Sequence, residues 1–360
     1  MRVGFDEQIF LLQKRGGVSR YFVELIREFS TNSRYGIEPI LSFKSTSNEM
    51  LFELSSELGL GLNYDNRPKP LAIAMGSTEN LSKTSHVDLI HHTFYSKLFW
   101  QPRFSGPRVS THYDMIPQLF KQKRFLINPH LSKHFYFTHV TKILAISNSA
   151  KSDLLDMWPD IATSISVTHL ASRDKQIEGA KRVRGSVLFV GVRAGYKDAE
   201  TLIRAFARLP QNLRGSLNFV GGGSFTEGEK SLFAELGISH LVSQENVSDE
   251  ELKSAYATAH VFVFPSKYEG FGLPVLEALG QGCRTLLART EVFQEIAGNT
   301  AEYFSPGEVS ELTLKLIGIL SDDPEFNPLL KVGCDRAAQF SWQKTASITA
   351  DIYRSLLDQS

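Results

Sequence analysis

An α/β protein of two doubly wound domains, each on a parallel sheet and both facing a central cleft, is predicted by three features of this sequence. Short apolar runs alternate with amphipathic helical stretches along the chain, as in repeated β-α-β units. At 360 residues the chain exceeds one typical domain and suits two. A polar, basic run over residues 172–184 lacks hydrophobic periodicity and separates the alternation into two series.

The first series opens with a strand over residues 1–5 and a helix over 17–29. Strands follow at 37–43, 87–91, 108–113 and 142–146, and a helix at 151–157. The second series begins with a strand at 186–190 and runs through 217–220, 241–242, 259–264 and 285–287. Residues 342–357 carry a closing helix pattern. The first domain is therefore assigned residues 1–171 and the second 185–341. Neither low-complexity tracts nor short internal repeats interrupt them.

Composition narrows the class. Hydrophobic content of 42% and charged content of 22% are those of a soluble globular protein. The chain opens directly on a strand and has no apolar run long enough to span a bilayer. Cys283 and Cys334 supply neither a disulfide framework nor metal-ligand spacing. A cytoplasmic location is expected, with no nucleic-acid partner. Net charge is zero, yet residues 1–170 hold 19 Lys+Arg against 15 Asp+Glu and the rest hold 20 against 24. The +4 and −4 halves favour an anionic or membrane-linked partner for the first.

The chemistry concentrates in Val263-Phe-Pro-Ser-Lys-Tyr-Glu-Gly-Phe-Gly-Leu-Pro-Val-Leu-Glu-Ala278. A buried-type strand passes through a glycine loop into a helix, with Pro274 suited to the first turn. Glu269 lies on the loop and Glu277 in the opening turn. The N–H groups of Phe271, Gly272 and Leu273 are placed to receive an anion at the helix end. A diphosphate there, with sugar hydroxyls on the two carboxylates, makes a nucleotide-sugar pocket. The same segment also suits an ordinary strand-loop-helix joint with both glutamates solvated.

This stretch, continued by Gly280-Gln-Gly-Cys283 and Glu295-Ile-Ala-Gly298, resembles the signature of retaining glycosyltransferase family 4. The resemblance implies the GT-B fold of two Rossmann-like domains, with the helix 342–357 crossing back onto the first. It implies a retaining, metal-independent transferase. A hexose-type sugar would move from GDP-mannose or a UDP-sugar to a glycan or polyprenyl-linked glycan, in surface polysaccharide synthesis. No cofactor or metal is expected, since the chain has no Asp-x-Asp pair. A GT-B-fold sugar-nucleotide epimerase and a non-catalytic nucleotide-sugar- or glycan-binding homologue are the alternatives.

Further positions match family patterns. Arg193 and Lys197, in Gly191-Val-Arg-Ala-Gly-Tyr-Lys-Asp198, would grip the diphosphate from an exposed loop. Gly16 and Gly17, ahead of the first long helix, permit positive φ and close approach to the donor. Val247 lies in the segment resembling the base-binding loop, where Ser248 and Glu251 also form a capping box. Gly221-Gly-Gly-Ser224 lacks the third glycine of a dinucleotide fingerprint because Thr226 stands there. In His112-Tyr-Asp-Met-Ile-Pro117, Tyr113 occupies the family's histidine position. Tyr113 is expected to hydrogen-bond the donor sugar and Asp114 to orient loops or acceptor. His112 and His92 are further candidates. The basic, aromatic run 120–137 suits either a membrane-surface face or an acceptor-side helix with buried aromatics.

Overall fold

The computed structural model describes residues 1–65, 86–100, 102–120, 129–172, 176–193, 195–326 and 328–359. It divides into two units, Met1–Leu170 with Ser341–Ser360, and Ala171–Phe340.

Among the described residues, the first unit carries eight strands: β1 Arg2–Phe5, β2 Glu38–Leu41, β3 Ser45–Thr46, β4 Asn63–Tyr64, β5 Leu89–His92, β6 Arg108–His112, β7 Lys142–Ala145 and β8 Ile165–Val167. Six form a parallel sheet in the order β2-β1-β5-β6-β7-β8, and β3 pairs with β4. Val3, Leu89, Ile90, Val109 and Leu144 are wholly buried, as expected of a parallel sheet covered on both faces. Helix Gly17–Thr31 packs Tyr21, Phe22, Leu25 and Ile26 into this core.

Helix Trp342–Asp358 belongs to the first unit although it follows the second in sequence. Ala346, Ala350 and Tyr353 form its buried stripe. The Tyr353 hydroxyl meets His91 Nδ1 at 2.5 Å, and Thr345 Oγ1 donates to His169 O at 2.6 Å.

The second unit carries β9 Val183–Val190, β10 Leu217–Val220, β11 Val242–Glu245, β12 Ala259–Phe264, β13 Thr285–Ala288 and β14 Glu302–Phe304. They form a parallel sheet in the order β11-β10-β9-β12-β13-β14. The chain builds outward from β9 on one side and then returns to its other side at β12. Loops leaving β9 and β12 therefore meet at a topological switch point, where doubly wound folds bind ligands.

The differences from the sequence-based expectation follow from exposure. β11 begins at Val242 and runs to Glu245, because this edge strand exposes Ser243 and Glu245 and its polar half hides the pattern. β8 and β14, three residues each, are too short to show a periodicity.

Candidate active site

The candidate site is built in the second unit by the loops that leave β9 and β12. Gly191 turns the chain out of β9 at φ 123°, and a Cβ there would lie 4.0 Å from Lys197 Nζ. Lys197 reaches the β12 loop, where its ammonium pairs with Glu269 Oε1 at 2.5 Å and lies 4.8 Å from the Phe264 ring centre. The Ser266 hydroxyl, fully buried, donates to the same carboxylate at 2.7 Å. Lys197 ends a short 3-10 turn, Gly195–Lys197, whose Tyr196 carbonyl accepts from Lys267 N at 2.8 Å.

Beyond Glu269, Phe271 is buried against Phe340, with ring centres 6.0 Å apart. Gly272 turns at φ 101°, where a Cβ would fall 2.9 Å from the Phe293 ring. Only glycine meets both demands. Helix Leu273–Gly280 then starts with proline in its first turn. Glu277, expected in the opening turn, stands in the second turn of this helix and is 8% exposed, where the Tyr256 hydroxyl donates to its Oε2 at 3.1 Å. Neither glutamate is a solvated helix-end carboxylate: Glu269 keeps 11% of its side chain exposed.

Arg193 departs from the expectation of an exposed cation. Its side chain is 4% exposed, and Nε donates to Glu229 Oε1 at 2.6 Å. The rest of the guanidinium donates to the carbonyls of Gly221, Gly223 and Ser224 at 3.1, 2.9 and 3.0 Å. Gly221, Gly222 and Gly223 all have positive φ, and a Cβ on Gly222 would stand 2.8 Å from Gly191 O. The glycine run thus lets two loops touch and turns its carbonyls onto Arg193. Burial alone would raise the Glu229 carboxyl, but hydrogen bonds from Arg193 and Thr226 hold it below the ordinary value.

Val247 lines a cavity of about 290 Å³ with Glu245, Glu251 and Ser254, beside helix Asp249–Thr258. Ser248 and Glu251 form the expected capping box, with Ser248 N donating to Glu251 Oε2 at 2.8 Å.

The candidates of the first unit are placed differently. Gly16 and Gly17 begin helix Gly17–Thr31, and neither lies in the left-handed region. Gly16 is extended, and a Cβ there would strike Gln13 Oε1 at 2.4 Å. That Gln13 oxygen accepts from Ser19 N at 3.0 Å, so the missing side chain makes room for a residue that caps the helix.

Tyr113 is a second departure. Its ring is 4% exposed and sits among Tyr21, Phe22 and Tyr95, and burial pushes its phenol well above the ordinary value. The side chain following β6 turns into the core of the first unit. Asp114, half-buried, accepts from Ile116 N at 2.9 Å through Oδ1 and thereby starts the short helix Ile116–Leu119. Its carbonyl accepts from the ammonium of Lys133. Lys133 is 1% exposed, and burial lowers its amine to about 8, with Asp114 acting the other way.

Both histidine candidates are sealed. His112 packs edge-on to Phe137, and burial followed by the Lys133 charge drives it well below its ordinary value. His92 donates through Nδ1 to Asp6 Oδ2 at 2.8 Å, and Thr93 N and Gln8 Nε2 also donate to that carboxylate. The Asp6–His92 pair had a signal in the sequence: each stands at the end of one of two adjacent strands. In the run 120–137, residues 121–128 lie outside the described residues. Tyr136 and Phe137 are core, on helix Lys133–His139. Among the described residues, no helix is long and apolar enough to cross a membrane.

Comparison with known proteins points to one family. Residues 172–331 match the family described as "Glycosyl transferases group 1". The MMP alpha-(1->4)-mannosyltransferase of Mycolicibacterium hassiacum is 31% identical over 225 residues, 61% of this chain and 55% of that protein. Serotype-specific mannosyltransferase WbdA of Escherichia coli is 26% identical over 274 residues, 69% of this chain and 33% of that protein. The match therefore spans about half of the first relative and a third of the second. Sucrose-phosphate synthase from Thermosynechococcus elongatus superposes with a TM-score of 0.74 at 19% identity, covering all of both chains. Anabaena HepE, solved with UDP and glucose, gives 0.72 at 15% identity over 99% of this chain and 100% of that one. These structural likenesses show the GT-B fold. The family's matched region lies inside the second unit, around Lys197, Glu269 and Glu277, and over those residues the chain is similar to the group 1 glycosyl transferases.

Proposed function

We propose that this protein is a retaining hexosyltransferase that uses a nucleoside-diphosphate sugar to extend a glycan or lipid-linked glycan in surface polysaccharide synthesis. The observation that carries the reading is the Lys197–Glu269 pair at the carboxyl ends of two strands flanking a switch point, with Glu277 on the helix that follows. GDP-mannose is the first donor to try, because relatives are named as mannosyltransferases, one of them for O-antigen chains. Those names also count against the epimerase.

In this reading Glu277 grips the ribose hydroxyls, and the start of helix Leu273–Gly280 with Lys197 receives the diphosphate. Glu269 faces the sugar. The bond from the anomeric carbon to the diphosphate oxygen breaks while the acceptor oxygen attacks on the same face. The acceptor's proton passes to the leaving phosphate oxygen. Charge grows on the diphosphate as that bond breaks, and a preorganised cation in a water-poor site stabilises that state most. Arg193, held by Glu229, shapes the loop from behind. Asp114 orients the acceptor side, and any peripheral membrane contact would serve a lipid-linked acceptor. The transfer needs no divalent metal.

A panel of GDP-mannose, UDP-glucose, UDP-galactose and UDP-N-acetylglucosamine tests this by thermal shift and by sugar transfer after EDTA treatment. One donor is expected to raise the melting temperature and to be consumed without added metal. Absence of any shift removes the donor site. Binding without transfer selects the non-catalytic alternative, and activity restored only by Mg²⁺ or Mn²⁺ contradicts the metal-free step.

A further inference from the structure

Asp198 is the one non-glycine residue with positive φ among the described residues, at φ 50° and ψ 39°. The left-handed region costs most side chains about 1–2 kcal/mol and aspartate somewhat less. Asp198 stands at the N-cap of helix Ala199–Ala207, where an aspartate usually accepts from a backbone N–H of the first turn, yet its side chain makes no such cap. The carboxylate instead accepts from the Thr201 hydroxyl at 2.8 Å and pairs with Lys267 Nζ at 3.0 Å, on the loop leaving β12. Its side chain is 12% exposed.

Lys197, the immediate neighbour, pairs with Glu269 on that same second loop. The Tyr196 carbonyl accepts from Lys267 N at 2.8 Å. Three consecutive residues of the β9 loop, Tyr196, Lys197 and Asp198, are thus joined to Lys267 and Glu269 of the β12 loop. Glycine would adopt this φ without strain, but it has no carboxylate to hold Lys267. Aspartate in the strained position is explained by the cross-loop bond and not by the turn.

We propose that Asp198 is a positioning residue that locks the Lys197 loop to the Glu269 loop, so that the cation for the diphosphate and the carboxylate for the sugar are held as one unit. This rests on the site assignment made under the proposed function. A lysine pointed a fraction of an ångström away from its phosphate loses transition-state stabilisation before it loses binding.

The test compares Asp198→Gly, Asp198→Asn, Lys267→Met and Lys197→Ala in the full chain, with GDP-mannose and UDP-glucose as donors. Melting temperature, kcat and donor KM are measured for each. Asp198→Gly relieves the backbone and is expected to melt near wild type, with kcat down about tenfold and donor KM changed less than about threefold. Asp198→Asn keeps the Thr201 bond and tolerates the turn but loses the charge that holds Lys267, and is expected to fall between Asp198→Gly and wild type. Lys267→Met cuts the same link from the other side. Its loss should match that of Asp198→Gly, and the double variant should be no worse than either. Wild-type kcat in a stable Asp198→Gly, or losses that multiply in the double variant, would overturn the proposal. If Lys197→Ala is inactive while Asp198→Gly is unaffected, only this inference fails. If Lys197→Ala is fully active, the site assignment itself fails.

Discussion

In the first unit Asp6, His91, His92, His112 and Lys133 lie sealed inside the core, each at most 3% exposed. In the second, Lys197 and Glu269 stand on loops at strand ends and keep 13% and 11% of their side chains in solvent. Both units are parallel sheets of the same kind, so the contrast does not come from fold class. Asp6, His91 and His92 are satisfied by partners distant in sequence, as His91 is by Tyr353 and Asp6 by His92 and Thr93, and these bonds fix which elements pack together. In the second unit opposite charges meet across adjacent loops, where an anionic ligand can exchange for one partner. In the proposed reading, internal satisfaction goes with a structural role and the partly solvated pair at the strand ends with a ligand.

The sharpest way to break this comparison uses the two basic residues of one loop. Lys197→Ala should lower turnover by about a hundredfold or more, since it removes an electrostatic stabiliser of the leaving diphosphate. Its melting temperature should stay near wild type. Arg193→Ala should do the reverse. It leaves Glu229 without its cation and takes a donor from the Gly223 and Ser224 carbonyls, and breaking a buried ion pair costs about 3–5 kcal/mol. The low end, about 3 kcal/mol, is expected because Glu229 keeps 20% of its side chain exposed. Turnover per folded molecule should change little. Melting curves and single-turnover rates measured together decide the matter: an Arg193→Ala protein that is stable but inactive would erase the distinction.

Glu277 sharpens the comparison from within the second unit, being more buried than Glu269 and bonded to a tyrosine. If it nevertheless grips the ribose, Glu277→Ala should weaken donor binding by about tenfold to a hundredfold, the worth of a hydrogen bond of roughly 1.5–3 kcal/mol to a charged group. The value of kcat should fall less, because the contact serves ground and transition states alike. Unchanged donor affinity by calorimetry would return Glu277 to the core.

How much of this the sequence carried depends on how local each feature is. The strand Ala259–Phe264, the turn at Gly272 and the helix at Pro274 are written within sixteen residues, so the loop and both glutamates are legible directly. The tail helix shows its stripe by period alone. Burial of Arg193 was not legible, because it depends on Glu229, thirty-six positions away, and on carbonyls turned by three glycines. The burial of Tyr113 is likewise not legible, since alternation along β6 gives no warning of the inward turn that follows His112. Lys133 drew attention only as part of a basic run, because nothing local says that its ammonium ends on the Asp114 carbonyl.

The smallest effect at any one pH, and the broadest test of the comparison, lies in acid. His91 is fully buried, and burial with neighbouring His92 lowers it to about 3, against about 6.5 for an unperturbed histidine. Between those values the unfolded chain binds a proton that the folded chain refuses. Stability is therefore complete above pH 6.5 and falls as pH drops through this window, by up to about 1.4 kcal/mol per pH unit for this one group. His112 is pushed the same way by burial, and His130 to about 4. All three belong to the first unit, whereas the second contains His260, lowered to about 4 by burial and then by Arg284. Amide exchange at pH 7 and pH 5 should accordingly show protection falling first in the strands and helices of the first unit, with the β9 to β14 sheet losing less. Replacing His91 by Asn should flatten the first unit's dependence over that range. Equal loss in both units, or earlier loss in the second, would show that the sealed histidines do not set the acid limit and that the contrast between the units lacks this thermodynamic consequence.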